Sequence, residues 1–290
     1  MPRGTSLYDE ARVVQGRLWT PGQIRAALWL DGDDLSTIST GTGVSELRDK
    51  SGNGRHFTQG TGGTQPTLTQ GGLNGRNVLS FNGSQWLTSP AAVSTWNFLH
   101  NTNGSSVFAV WKAGNISDPN AAYSLLGTSA IASANIGYAL ITDDRVASSR
   151  NEKVIAQIVR GASGTEAVGN LSADLAHPPN TPVILSHIAD PNNGTAANRS
   201  FLRINRTLIQ ANASTLAPSA SNASFALQIG AAGNNAAPLT GYIAEIVVLA
   251  SLASTKVRQQ IEGYLAWKWG LRTGLTAGHP FANCPPLNGA

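Results

Sequence analysis

Two stretches carry side chains whose types and spacing could do chemistry, and each has a plain structural alternative. The first is the loop Asp49-Lys50-Ser51-Gly52-Asn53-Gly54-Arg55-His56. Oxygen-bearing residues on alternate positions of a glycine-containing loop can hold Ca2+, a hard cation that takes about six to eight oxygen ligands. Asp49, Ser51 and Asn53 would supply part of that shell, and Asp31, from the acidic cluster Asp31, Asp33 and Asp34, could add to it. The bidentate acid that closes an EF-hand loop is absent. The alternative is an Asx-type turn in which Asp49 and Asn53 bond local amides, and it is the favoured reading. Ca2+ is the one cofactor these residues bring into question. The second group is Trp86, Trp96 and Trp111, whose rings could stack on a sugar or could simply fill the core of a sandwich.

Catalytic patterns are missing. Glycoside hydrolysis needs two carboxylates facing each other across a cleft. Glu10, Glu46, Glu152, Glu166, Glu245 and Glu262 stand apart from one another, and the adjacent pair Asp143-Asp144 reads as a turn. His56, His100, His177, His187 and His279 lack ligand spacing, and His187, inside an apolar strand, reads as a hydrogen-bonded core residue. No nucleophile elbow, zinc-protease helix, CxxC pair or phosphate-binding glycine loop occurs. The expectation is a protein that binds rather than reacts.

The elements that must position these residues follow from pattern. Gly241 to Leu271 is the clearest stretch: Tyr242 to Leu249 is nearly all apolar, as a central strand covered on both faces would be. Ser254 can cap a helix from about Thr255 to Trp269, with Gly270 beyond its end. Val257, Ile261, Tyr264, Leu265 and Lys268 would line its core stripe, and Lys256, Arg258, Gln260 and Glu262 would face water. Upstream, short apolar runs separated by Gly and Asn turns recur, including Ala27–Asp31, Ser106–Lys112, Val183–Ala189 and a hairpin in Arg199–Gln210 turning at Asn205-Arg206. About twelve such strands and one late helix predict an all-β, antiparallel β-sandwich with one C-terminal amphipathic helix.

Composition narrows the class. The chain has 290 residues, of which only 12% are charged and 41% hydrophobic, with 31 glycines; this suits a turn-rich β-protein with a full core. Net charge is +4 and the pI about 9.5, but the basic residues are scattered, so no nucleic-acid footprint is expected. Cys284 is the lone cysteine and cannot form an internal disulfide. Neither a signal-type apolar segment at the start nor an eighteen-residue apolar run occurs, so Sec export and membrane association are not expected. Residues 1–26 read as an N-terminal arm with Leu18, Trp19 and Ile24 as anchoring candidates, and residues 27–290 as one domain with an extended tail.

The order of motifs then resembles a known family. Trp29-Leu30-Asp31, Arg48 to His56, Leu79-Ser80-Phe81-Asn82-Gly83 with Trp86-Leu87, Gly241 to Glu245, and Ile261 to Leu271 carry the resemblance, over roughly residues 27–286. It is to the concanavalin A-like lectin/glucanase superfamily, and within it to laminin G-like jelly-roll domains of bacteriophage virion proteins and some bacterial surface proteins. The resemblance implies a jelly roll serving as a structural virion protein of a tailed phage, in capsid decoration or as a tail or fibre module, with glycan adhesion. It implies other virion proteins and host surface glycans as partners, a multimeric place in the particle, and synthesis in the host cytoplasm without a signal peptide. The alternatives are a carbohydrate-binding, lectin-like host-recognition module and, behind it, a glycoside hydrolase.

Overall fold

The computed structural model describes residues 17–101, 104–114, 121–130, 135–145, 153–161, 166–172, 176–205, 207–210 and 217–288. Within them the chain forms two antiparallel sheets. The first runs in the order β15 (Thr207–Gln210), β14 (Ser200–Ile204), β13 (Val183–Ala189), β8 (Ser105–Ala113), β17 (Thr240–Leu249), β6 (Arg76–Asn82) and β5 (Thr67–Leu73). A further strand, β1 (Leu28–Asp31), pairs with β17 beyond the end of β6. The second sheet runs β12 (Glu166–Leu171), β11 (Lys153–Arg160), β10 (Ile136–Asp143), β9 (Ala122–Gly127), β16 (Gln228–Ile229), β7 (Leu87–Thr88), β4 (Phe57–Thr58), β3 (Val44–Leu47) and β2 (Ile38–Thr40).

Alternation along the strands sorts their side chains into two cores. Between the sheets lie Leu28, Leu30, Phe57, Leu79, Trp96, Trp111, Tyr138, Leu140 and Leu185 among others. On the outer face of the first sheet a second core gathers Trp29, Val78, Phe108, Val110, Val247, Ile261, Tyr264, Leu265 and Trp269. β17 feeds both: Ile243, Ile246 and Val248 point inward, while Tyr242, Ala244, Val247 and Leu249 point outward. The register against β8 slips between Ile243 and Glu245, a bulge that keeps Glu245 on the outward side beside Ala244.

The long helix among the described residues, α1 (Thr255–Lys268), lies on that outer face. Ser254 Oγ accepts a hydrogen bond from Val257 N at its start, and Gly270, at φ 69°, turns the chain away at its end. Its burial departs from a simple stripe. Ile261 to Ala266 are all buried, Glu262 included, because other segments cover the side meant for water. Trp19 is buried and meets the Tyr264 ring edge-on, with centroids 6.3 Å apart. The tail passes over Gly263, where an added Cβ would lie 2.7 Å from the Phe281 side chain. Trp19 N donates to Pro286 O (2.8 Å), so the first described residues and the tail run side by side across the helix.

Residues 17–26 pack on the domain instead of forming part of an arm; residues 1–16 lie outside the described residues. The polar section 58–77 holds the end of β4 and all of β5, and β5 turns into β6 through Asn74 (φ 49°) and Gly75 (φ 81°). That pair is a two-residue hairpin turn of the type Asn-Gly favours.

Candidate functional site

The residues that make the sequence distinctive converge on a buried polar hub beneath α1. Trp29 and Asp31, two apart on β1, both face the helix, and Asp31 pairs directly with Glu245 of β17. Glu245 Oε1 accepts from Trp29 Nε1 (2.6 Å) and Tyr264 Oη (2.8 Å), and Oε2 from Trp269 Nε1 (2.7 Å) and Lys268 Nζ (2.8 Å). Asp31 binds the ammonium groups of Lys268 and Lys50, each at 2.7 Å. Arg76 joins Asp33 at 2.6 Å and donates to the carbonyl of Lys268 at the helix end. Burial pushes the Asp31 carboxyl up, but the Lys268 and Lys50 charges more than reverse this and leave it below the usual range. At Glu245 burial, and then the neighbouring Asp31 charge, win over Lys268, and the carboxyl is raised. Every polar group in the hub is spent on another, so it fastens β1, β17 and α1 together and leaves nothing for a ligand.

The Asp49 loop belongs to the same framework. Asp49 accepts from Trp29 N (3.0 Å), Ser51 N and Ser51 Oγ (2.8 Å each) and Arg55 N (3.1 Å). Asn53 Nδ2 donates to the carbonyls of Ala26 and Ala27. A calcium site needs lone pairs turned toward one point. Here Asp31 faces two ammonium groups, Asp49 faces N–H and O–H donors, and Asn53 presents its amide nitrogen; this donor set does not fit Ca2+. Among the described residues no three His, Cys, Asp or Glu side chains gather as a metal cluster would.

Of the candidate sugar platforms, Trp96 and Trp111 are fully buried between the sheets and cannot meet a ring from solvent. Trp86 is partly exposed but stands apart from the cleft described below. The anchoring candidates are also engaged: Trp19 is buried, and Leu18 and Ile24 pack against the α1 core. Trp19 therefore cannot serve as a peg into a partner without unpacking from Tyr264.

An open cleft of about 450 Å³ lies elsewhere, on the outer face of the first sheet at the start of α1. Its floor is built by alternation. In β14 Leu202 and Ile204 point into the inter-sheet core, so Phe201 and Arg203 point out; in the paired β13, Ile188 stands opposite Phe201. One wall is the loop Asp190 to Asn198, held by Asp190 N to Arg199 O (2.7 Å), Arg199 Nε to Asn193 O (2.9 Å) and Asn193 Nδ2 to Asp190 Oδ2 (3.0 Å). The other wall is Leu252, Ala253, Thr255 and Arg258, where the positive end of the helix dipole lies. Leu252 is 45% exposed, and the Asn198 side-chain amide has no protein partner among the described residues. Part-exposed apolar surface beside amide and guanidinium donors on a stiff sheet can hold a polar ring compound by stacking and directional hydrogen bonds. These residues were not among the sequence candidates. The available signal was the hairpin Phe201 to Gln210, whose alternation sets Phe201 and Arg203 on one face next to a polar Asn-rich turn.

No protein-family model matches the chain, and no curated protein matches it in sequence. Among solved structures, the binding domain of botulinum neurotoxin DC in complex with SialylT is similar, with TM-score 0.54 and 12% identity over 84% of this chain and 52% of that one. The botulinum neurotoxin serotype D binding domain gives TM-score 0.52 and 14% identity over 84% and 51%. A Trypanosoma rangeli sialidase bound to a difluorinated nononic acid gives TM-score 0.51 and 11% identity over 87% and 33%. The chain thus spans about half the length of the toxin domains and a third of the sialidase. At such identities the likeness is one of fold, an all-β sandwich.

Proposed function

We propose that the chain is a non-catalytic carbohydrate-recognition module that holds its glycan in the cleft between the Asp190–Asn198 loop and the start of α1. The observation that carries this reading is the cleft's make-up: Phe201, Ile188 and Leu252 as apolar surface, with Asn198, Thr255 and Arg203 as polar groups around it. Two features support it further. The sandwich is shared with toxin binding domains, one of them in complex with SialylT. Among the described residues the two buried glutamates, Glu245 and Glu262, sit in closed networks rather than across a groove, so they are not placed as an acid and base pair.

A glycan array followed by calorimetry on the full chain tests the reading. Binding in the micromolar to millimolar range is expected, as is usual for small open sugar sites (about 4–8 kcal/mol). Phe201→Ala and Asn198→Ala should each weaken it about tenfold, while Trp86→Ala leaves it unchanged and no reducing sugar is released. Binding indifferent to both cleft variants would sink the assignment. The jelly-roll class and the virion setting, with other virion proteins as partners in a multimeric assembly, are the finer part of the proposal and rest on the motif resemblance. Particle incorporation of chains with and without residues 1–16 tests that setting, because this cut leaves the packed Trp19 in place.

A further inference from the structure

Among the described residues Arg203 is the charged group of the cleft whose chemistry is left incomplete. Its guanidinium is half-buried, and among the described residues nothing accepts a hydrogen bond from its five N–H donors. The neighbouring Arg258 is already neutralised: its NH1 lies 2.6 Å from Glu262 Oε2. Glu262 in turn accepts from Ser186 Oγ on its other oxygen at 2.8 Å, and its Oε2 lies 3.4 Å from His279 Nε2, so both of its oxygens are already engaged. Asp190, across the cleft, is tied to Asn193. Burial, and then the Arg258 charge, hold the Arg203 pKa below its ordinary value, and Glu262 only partly offsets them. A partly desolvated cation beside a second arginine, with no acceptor, is a cost to the free protein that a bound anion removes.

We propose that the cleft selects an acidic sugar, whose carboxylate, or the equivalent oxygens of a sulfate ester, pairs with the planar fork of Arg203, an inference that rests on the glycan reading above. Phe201 projects from the same strand face two residues before Arg203, so a ring seated on Phe201 and Leu252 can carry its anionic substituent onto the guanidinium. A second cavity, of about 180 Å³, also has Arg203 and Arg258 in its wall, next to Asn205 and Leu275. The guanidinium thus stands on the ridge between two openings. An arginine so placed is suited to two parallel hydrogen bonds with one anionic group, which lysine would not supply.

The test compares 3′-sialyllactose, 3′-sulfolactose and lactose on the full chain by calorimetry at low and moderate salt. Sialyllactose should bind about tenfold or more tighter than lactose, with a preference that narrows as salt rises. Arg203→Ala should abolish the preference while leaving weak lactose binding, Arg203→Lys should keep part of it, and Phe201→Ala should weaken all three sugars. The Arg203→Ala protein should melt at the same temperature as the parent or higher, since it loses an unpaired cation. Sulfolactose matching sialyllactose supports a general anion site; sialyllactose alone supports one shaped for a carboxylate. Equal binding of lactose and sialyllactose, or a preference that survives Arg203→Ala, overturns this inference but not the glycan reading. Failure of all three sugars to bind overturns both.

Discussion

Glu245 shows how a single carboxylate can be fully buried at little cost. Trp29, Tyr264, Trp269 and Lys268 all donate to it, two to each oxygen, which leaves no lone pair pointing at a donor-free neighbour and no room for a proton. Burial raises its carboxyl, but the geometry is that of an ionised acceptor between a strand pair and a helix. Glu245→Gln should therefore be far from conservative. The amide nitrogen would confront either Trp269 Nε1 and Lys268 Nζ or Trp29 Nε1 and Tyr264 Oη, and Lys268 would lose half its charge compensation. A loss of about 3 kcal/mol is expected from the urea midpoint at pH 7. A variant as stable as the parent would show that the hub is not the fastening described. At this scale the sequence is misleading in an instructive way. Trp96, Trp111, Asp49 and Asp31 have the residue types of a sugar or ion site, but burial and donor geometry decide their role, and neither is visible in type or spacing. His187 was legible as a core residue, since a polar ring inside an apolar strand must be satisfied there; it bonds Tyr138 Oη and Ser200 Oγ, both at 2.7 Å.

Helix α1 owes its place to its covers as much as to its own pattern. Gly263 costs about 1 kcal/mol of intrinsic helix stability relative to alanine. It is there because the Phe281 ring of the tail lies where a Cβ would stand, and Trp267 Nε1 anchors the same residue through its carbonyl at 2.8 Å. Gly263→Ala should lower stability by about 1–2 kcal/mol despite the better propensity, and raise proteolytic cutting in the 279–288 tail. In the background of Phe281→Gly, which removes the Cβ as well as the ring, the same change should become neutral or stabilising; a destabilising effect in both backgrounds would refute tail packing as the cause. Elements with strong local chemistry are the ones the sequence discloses. The Ser254 cap, the apolar run of β17 and the two-residue connection after Ile204 all rest on nearest-neighbour rules, and the structure places Ser254 Oγ on Val257 N and Asn205 at φ 52°. β5 was hidden because Thr67 to Gly72 lacks apolar alternation, being an edge strand with most of its surface in solvent. The bulge in β17 was hidden because it arises from pairing with β8, not from the strand itself. The cleft was hidden for the same reason: Phe201, Asn198, Thr255 and Arg258 are brought together only by the way α1 crosses β13 and β14.

Across the whole molecule, titration is divided between its two cores. The hub between the first sheet and α1 carries the carboxylates, whereas the space between the sheets holds imidazoles. His177 bonds Thr142 Oγ1 at 2.8 Å and the Thr181 carbonyl at 3.1 Å, and packs edge-on to Trp111. Burial brings its pKa down to about 4 and that of His187 to about 3, and lowers His100 as well. A histidine whose pKa is lower folded than unfolded binds fewer protons in the native state, so its contribution is complete above the unfolded value near 6.5 and is lost as pH falls. Asp31 and Asp34, also lowered from the usual carboxylate range, act in the same direction but only below about pH 4. Between pH 6.5 and 4.5 the buried histidines set the downward trend, and Glu245, whose raised carboxyl takes up its proton earlier in the folded than in the unfolded state, works against it. Each of His177 and His187 should withdraw about 1.4 kcal/mol per pH unit there, roughly 2 kcal/mol each by pH 5. Urea unfolding at half-unit steps of pH should show that slope, and His187→Gln should flatten it by about half even though its stability at pH 7.5 is lower. A parent protein whose unfolding free energy stays level between pH 6.5 and 4.5, and whose pH profile His187→Gln leaves unchanged, would mean that these rings are not sealed between the sheets, and the two-core architecture would have to be redrawn.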